Sequence, residues 1–313
     1  MENITPNEIN TTNESVVTID SQDTATYEND TVAVRQELLT SQMRRRLLTG
    51  RIGGVERTES GTTVAVVDYK GYRVVISISE MMILSKKQAA DASGSELNLR
   101  RQKVLSGMLG AEIDFIVRGV SDDEPVAAAS RKEAMLIKRR KFYVDKDASN
   151  KTVIYPGRIV QARILSVYEK GIHIEAFGAE CTVFNRDLSW DWIGDARDKY
   201  SVGETILVRI SSVHVDTDGD ISIEAEVKSL EENGARSNLS KCKVQSKYAG
   251  TVIDIVRGMP RIRLLNGANA IAHTCIDRRT PGKKDEVSFV VTNIDERKGV
   301  AMGVITRIIR QNI

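Results

Sequence analysis

Phe184, Asn185, Arg186, Trp190 and Trp192 fall within nine residues of "VFNRDLSWDW", in a chain of which aromatic residues make up only 5%. A ring with one face in solvent can stack on an unpaired nucleobase, a contact worth ~1–3 kcal/mol per base that tolerates any sequence. Asn185 and Arg186 add an amide for base edges and a cation for phosphate, the groups by which splayed single strands are held. The same rings also suit a core. Phe184 can end a core strand, and a large aromatic such as Trp190 in a loop after a strand is expected to cap a small barrel, which leaves Trp192 exposed.

A second aromatic and basic group is "DYKGYRV", where Tyr69 and Tyr72 flank Lys70 and Gly71. It reads as a hairpin platform, with ordinary half-exposed strand tyrosines as the alternative. A third gathers Arg261, Arg263, Arg278, Arg279, Lys283 and Lys284 near His273. Basic runs at Arg44 to Arg46, Arg100 to Lys103 and Lys138 to Lys141 could form an electrostatic track, although such runs are usually solvated faces.

Catalytic chemistry finds no footing. There is no phosphate-cradling GxxxxGK[ST] loop, no GxGxxG turn, no HExxH pair and no GxSxG elbow. His173, His214 and His273 lie in separate segments. Cys181, Cys242 and Cys275 are too dispersed for a zinc knuckle and read as buried reduced thiols. Asp216, Asp218 and Asp220 imitate the start of a calcium loop, but Val227 holds the twelfth position, so a hairpin turn is expected. We expect a binding protein with no cofactor and no metal, not an enzyme.

The elements that position these residues follow from length and pattern. A chain of 313 residues, 41% hydrophobic, is long enough for two or three domains. No apolar run approaches the ~20 residues of a membrane span, and no basic-then-apolar leader opens the chain, so a soluble cytoplasmic protein without a membrane partner is expected. The net charge of +2 conceals a partition along the chain. Residues 1–41 carry one base against eight acids, 42–120 thirteen against eight, 153–228 eight against thirteen, and 242–313 thirteen against six.

Residues 1–31 are polar and acidic and are expected to form a disordered tail. From Val32 the spacings Val34–Leu38 and Leu39–Met43–Leu47 predict an amphipathic helix that opens the first repeat, 32–134. The second repeat, 153–230, shows five strand-like runs, among them "GRIVQARILSV", "GIHIEAFG" and the alternating "DISIEAEV". The same plan recurs from Gly50 and from Gly250, with Gly110, Gly203 and Gly282 as equivalent entry points to the fourth strand. The third repeat, 243–313, is the most degenerate. A basic linker is expected at 135–152 and a second linker at 231–242. Five short strands favour a small closed barrel over an open sheet with long edges. The fold expected is therefore mainly β, with three tandem five-stranded OB-fold barrels.

Residues 157–226, above all "GAECTVFNRDLSWDWIGDARDKYSVGETILVRISSVHVD", resemble the S-one type RNA-binding domain, the OB-fold repeat of the largest small-subunit ribosomal protein. The stretch "SRKEA" at Ser130–Ala134 is similar to those ribosomal repeats as well. The resemblance implies an RNA face with Phe184 at the end of the third strand, His173 on the second, Lys170 where an aromatic often sits, and His273 at the Phe184 position of the third repeat. Arg186, Arg261, Arg263, Tyr69, Lys70 and Tyr72 complete the expected RNA-binding set. The partner implied is single-stranded RNA, in translation or RNA metabolism, with the ribosome or other protein subunits alongside. The alternative is a structural or assembly protein, for example of a phage or mobile element, whose OB-folds dock proteins.

Overall fold

In a computed structural model, which describes residues 17–19, 31–58, 61–83, 94–148, 150–216 and 220–312, the chain forms three successive five-stranded barrels. The first is built from β1 (Leu48–Arg57), β2 (Thr63–Tyr69), β3 (Tyr72–Ser77), β4 (Glu112–Val120) and β5 (Val126–Ser130), closed in the order β1-β2-β3-β5-β4. The second uses β6 (Ile159–Tyr168), β7 (Gly171–Ala176), β8 (Ala179–Phe184), β9 (Thr205–Val215) and β10 (Ile221–Glu226). Its hydrogen-bonded order is β10-β9-β6-β7-β8, so β8 and β10 meet by packing alone. The third, β11 (Lys247–Val256), β12 (Met259–Leu264), β13 (Asn269–Cys275), β14 (Glu286–Asp295) and β15 (Val300–Arg310), is closed like the first.

Period-two alternation produces these strands. In β10, Ile221, Ile223 and Ala225 point into the core while Ser222 and Glu224 face water. Phe115 and Phe289, both fully buried, fill corresponding places in the first and third barrels, opposite Leu48 and Tyr248. Among the described residues no helix is long and apolar enough to cross a membrane.

A bulge in the first strand of each barrel fixes the register between repeats. Ile52, Ile164 and Val252 each precede it. Their carbonyls accept from the N–H of Gly110, Gly203 and Lys284, respectively. Gly110 and Gly203 are thus equivalent, with φ of 85° and 86°, but the third copy uses Lys284, at φ 65°, and not Gly282. Gly282 instead donates its N–H to Asp285 Oδ2. The same register pairs Gly50 with Gly250 and puts Ala162 in that place of the second barrel. Gly157 lies earlier, in the turn before β6.

The connectors are more structured than their polarity suggests. Helix α1 (Thr31–Arg44) buries Val34 and Leu38 against the first barrel, whereas Met43, on the other expected ridge, is exposed. Two further helices, α2 (Ile78–Met81) and α3 (Gly94–Ser106), precede β4. The first ten residues of the expected 135–152 linker continue α4 (Arg131–Arg139) into a π-turn at Arg140–Val144, because Met135 and Tyr143 bury their side chains. Ser130 caps α4 by accepting from Glu133 N at 3.0 Å. This is the role of the SRKEA stretch, and it carries Arg131 into the joint between the first two barrels. Arg131 is 0% exposed and donates to Met81 O at 2.9 Å, to Glu175 and to Glu180. Asp114 makes a second bridge, between Lys138 of α4 and Arg163 of β6. A short α5 (Asn185–Leu188) follows β8, and the expected 231–242 linker contains α6 (Gly234–Leu239), from which Leu239 reaches the third core.

The expected disordered tail lies outside the described residues except at Thr31, which opens α1, and at 17–19, which are docked. Val17 bridges Val160, its carbonyl accepts from Gln161 N at 2.9 Å, and Ile19 N donates to Gln161 Oε1 at 2.8 Å. The three cysteines are free, and burial pushes the Cys181 thiol up to about 12, which suits inert packing.

Candidate nucleic-acid interface

The end of β8 is shaped by a close backbone approach. Phe184 pairs with Gly171, where a Cβ would lie 2.4 Å from Val183 O and 3.0 Å from Phe184 Cα. Only glycine fits there, and the chain turns directly into α5. Phe184 is left 49% exposed, with the Arg186 guanidinium 5.6 Å from the ring centroid. Asn185 fixes the loop that follows: its Nδ2 donates to Glu169 O at 2.9 Å and Ile193 O at 3.0 Å, while its buried Oδ1 has no partner among the described residues.

Phe184 lines a groove of about 860 Å³ between the second and third barrels. Lys170 and Arg186 contribute from one wall, and Arg257, Arg261 and Lys283 from the other. Against these five cations stand two acids, Glu169 and Asp254. Both acids bind Lys283, at 2.6 and 3.1 Å, and those hydrogen bonds raise its pKa. The groove is therefore net positive even though residues 153–228 carry an excess of acids, because the third barrel supplies most of the charge.

Other expected residues lie elsewhere. His173 is on the outer face of β7, with Nδ1 3.2 Å from Thr182 Oγ1 and Nε2 3.6 Å from Glu180. It belongs to the edge of the Arg131 joint and does not line the groove. Burial would raise the Glu180 carboxyl, but Arg131 and His173 hold it at about 2. His273 does occupy the Phe184 position: Ala270 pairs with Ile262 as Cys181 pairs with Ile174, and three residues on come His273 and Phe184. It is exposed on β13, outside the groove. Arg263 is committed to the joint between the second and third barrels, 2.5 Å from Asp191 and 3.0 Å from Asn269 Oδ1.

The first-barrel platform is corrected. Tyr69 and Tyr72 are each only 7% exposed, because α1 covers their end of the barrel. Tyr69 stacks edge-on against Phe115 at 5.7 Å and donates its hydroxyl to Glu37 at 3.0 Å, and Lys70 binds the same carboxylate. Burial, then Glu37, pushes the Tyr69 phenol upward. The first-barrel counterpart of Phe184 is Ser77, three residues after Val74, which pairs with Val67. The tryptophan expectation is corrected too. Leu188 is part of the second core, and Trp190 is 38% exposed while Trp192 is half-buried beneath the Arg261 guanidinium at 5.2 Å.

Sequence reasoning missed Arg257, at the β11–β12 turn. No local pattern marks it, since docking of the third barrel alone brings it opposite Phe184.

Residues 154–224 match the family described as the S1 RNA binding domain. Among solved structures, the chain is similar to a multidomain protein with nucleic acid binding domains from Streptococcus pneumoniae TIGR4, at 9% identity and a TM-score of 0.19, covering 83% of this chain and 73% of that one. It is also similar to a chain of the a/eIF2alpha-aDim2p-rRNA complex from Pyrococcus horikoshii OT3, at 17% identity and a TM-score of 0.21, covering 28% of this chain and 52% of that one. No curated protein matches the chain.

Proposed function

We propose that the protein binds single-stranded RNA in the groove between its second and third barrels, as a binding protein of translation or RNA metabolism and not as an enzyme. The observation that carries this reading is Phe184. It is a half-exposed ring at the end of the third strand of a segment matching the S1 RNA binding domain, and it faces a cationic wall from another barrel. A splayed base stacks on Phe184 while its phosphates track Lys170, Arg186, Arg257 and Arg261. A duplex keeps its bases stacked on one another and offers Phe184 no free face.

Fluorescence anisotropy with a labelled unstructured RNA and a hairpin stem, across a salt series, tests this. If the four cations each meet one phosphate, log K for the single strand should fall against log salt with a slope of about −3, at roughly 0.7 per phosphate. The stem should bind more weakly at every salt concentration. Equal affinity for stem and strand, or a flat salt response, overturns the reading.

A further inference from the structure

Beyond Arg261 the groove continues into a second cavity of about 380 Å³, walled by Trp190 and Trp192 and bordered by the β14–β15 turn with Arg297 and Lys298. Asn185, Arg186 and Arg261 line both cavities. We propose that this cleft is a nucleotide subsite, in which one base lies against the tryptophans and its phosphate lies toward Arg297 and Lys298. The inference rests on the groove reading and extends the path of the strand that stacks on Phe184.

The cleft holds both of the chain's tryptophans. Trp190 is anchored through its Nε1–H, which donates to Glu231 O at 3.1 Å, yet over a third of the residue remains in solvent. An indole fixed in place but not buried is a preorganised stacking surface, because its ordering cost is met before a ligand arrives. Each ring has a cation near it, Lys228 5.8 Å from Trp190 and Arg261 5.2 Å from Trp192. Lys228 is held by Asp187 at 2.8 Å and Lys298 by Asp295 at 3.5 Å, whereas neither Arg261 nor Arg297 has a carboxylate within ion-pair distance among the described residues. Bases stack on guanidinium planes as well as on aromatic rings, so Arg261 can serve both cavities. The volume falls within the ~300–1,000 Å³ of small-ligand sites. The cleft also presents Asp191, Asp254 and Glu296, so five cations, Arg186, Lys228, Arg261, Arg297 and Lys298, stand against three acids, and a peptide with apolar anchors would find this charged rim unsuitable.

Because both tryptophans line the cleft, their emission reports its occupancy directly. Titrating the full chain with an oligouridine long enough to span both cavities should quench tryptophan fluorescence in step with the anisotropy of a labelled strand. Single Trp190→Phe and Trp192→Phe variants assign the signal. Trp190→Ala should weaken binding roughly 5- to 150-fold, the span of one stacked base, with recovery in Trp190→Phe. Arg297→Ala, at an exposed site where folding is not at stake, should lower the salt slope by about 0.7. Phe184→Ala should weaken the complex but leave the quench at saturation. RNA that binds by anisotropy with unchanged tryptophan emission, and with wild-type affinity for Trp190→Ala and Arg297→Ala, overturns the subsite while the groove stands. Absence of any RNA binding overturns both.

Discussion

Truncating Phe184 and truncating Tyr69 should give opposite readouts. Phe184 is half in solvent, so Phe184→Ala should leave the melting temperature nearly unchanged and cost ~1–3 kcal/mol of single-strand affinity. Tyr69 is packed on Phe115 beneath α1, so Tyr69→Ala should cost ~3–5 kcal/mol of folding stability. A thermal scan of both variants with anisotropy on the first checks the pair, and a large loss of stability in Phe184→Ala would make that ring core. Phe184 was legible in the sequence because it ends an alternating strand just before a polar turn. Tyr69 and Tyr72 were not. What buries them is a helix that begins more than thirty residues earlier, and strand alternation says nothing about what docks from outside.

The loops entering β4 and β9 meet each other across the joint between the first two barrels. A Cβ on Gly203 would lie 2.6 Å from Gly110 O, while one on Gly110 would meet nothing within 4 Å. Both glycines have positive φ. Gly110→Ala should therefore cost only the left-handed strain of ~1–2 kcal/mol, and Gly203→Ala should cost more and loosen the two barrels. Equal losses in chemical denaturation would show that the contact is slack. The repeat itself was visible in the sequence as strand runs at matching intervals, but glycine was an unreliable marker of register. Lys284 adopts the same left-handed backbone as Gly110 and Gly203, so counting glycines put the third entry point two residues early, at Gly282. The second half of α4 and all of α6 were read as linkers because each carries its few apolar contacts on a largely polar segment.

The two joints between barrels differ in kind. The first is buried, with Arg131 held by Glu175 and Glu180 and with Asp114 between Lys138 and Arg163. For Glu180 and Asp114 desolvation acts upward, yet Arg131 and His173 in one case, and Lys138 and Arg163 in the other, hold the carboxyls at about 2, below their ordinary 4.5 and 3.8. A depressed carboxyl contributes its stability fully above the ordinary value and loses it as pH falls toward the depressed one. The first two barrels should thus stay docked at about pH 5 and part only between about pH 4 and 2, which small-angle scattering would detect; separation already complete at about pH 5 would refute it. The second joint uses the partly exposed pairs Lys283–Glu169, Lys284–Asp198 and Arg263–Asp191, each worth ~0–1 kcal/mol and screened by salt. The positive charge of the third repeat was legible in the sequence, but not that it faces Phe184 across this joint. A groove whose far wall hangs on such pairs, and which lies open to solvent, can admit a strand sideways at any point along its length, with no free end to thread. Covalently circular RNA should then be captured as tightly as its linear form of the same sequence in a gel-shift comparison, and capture of linear strands alone would reveal a closed eyelet in place of an open jaw.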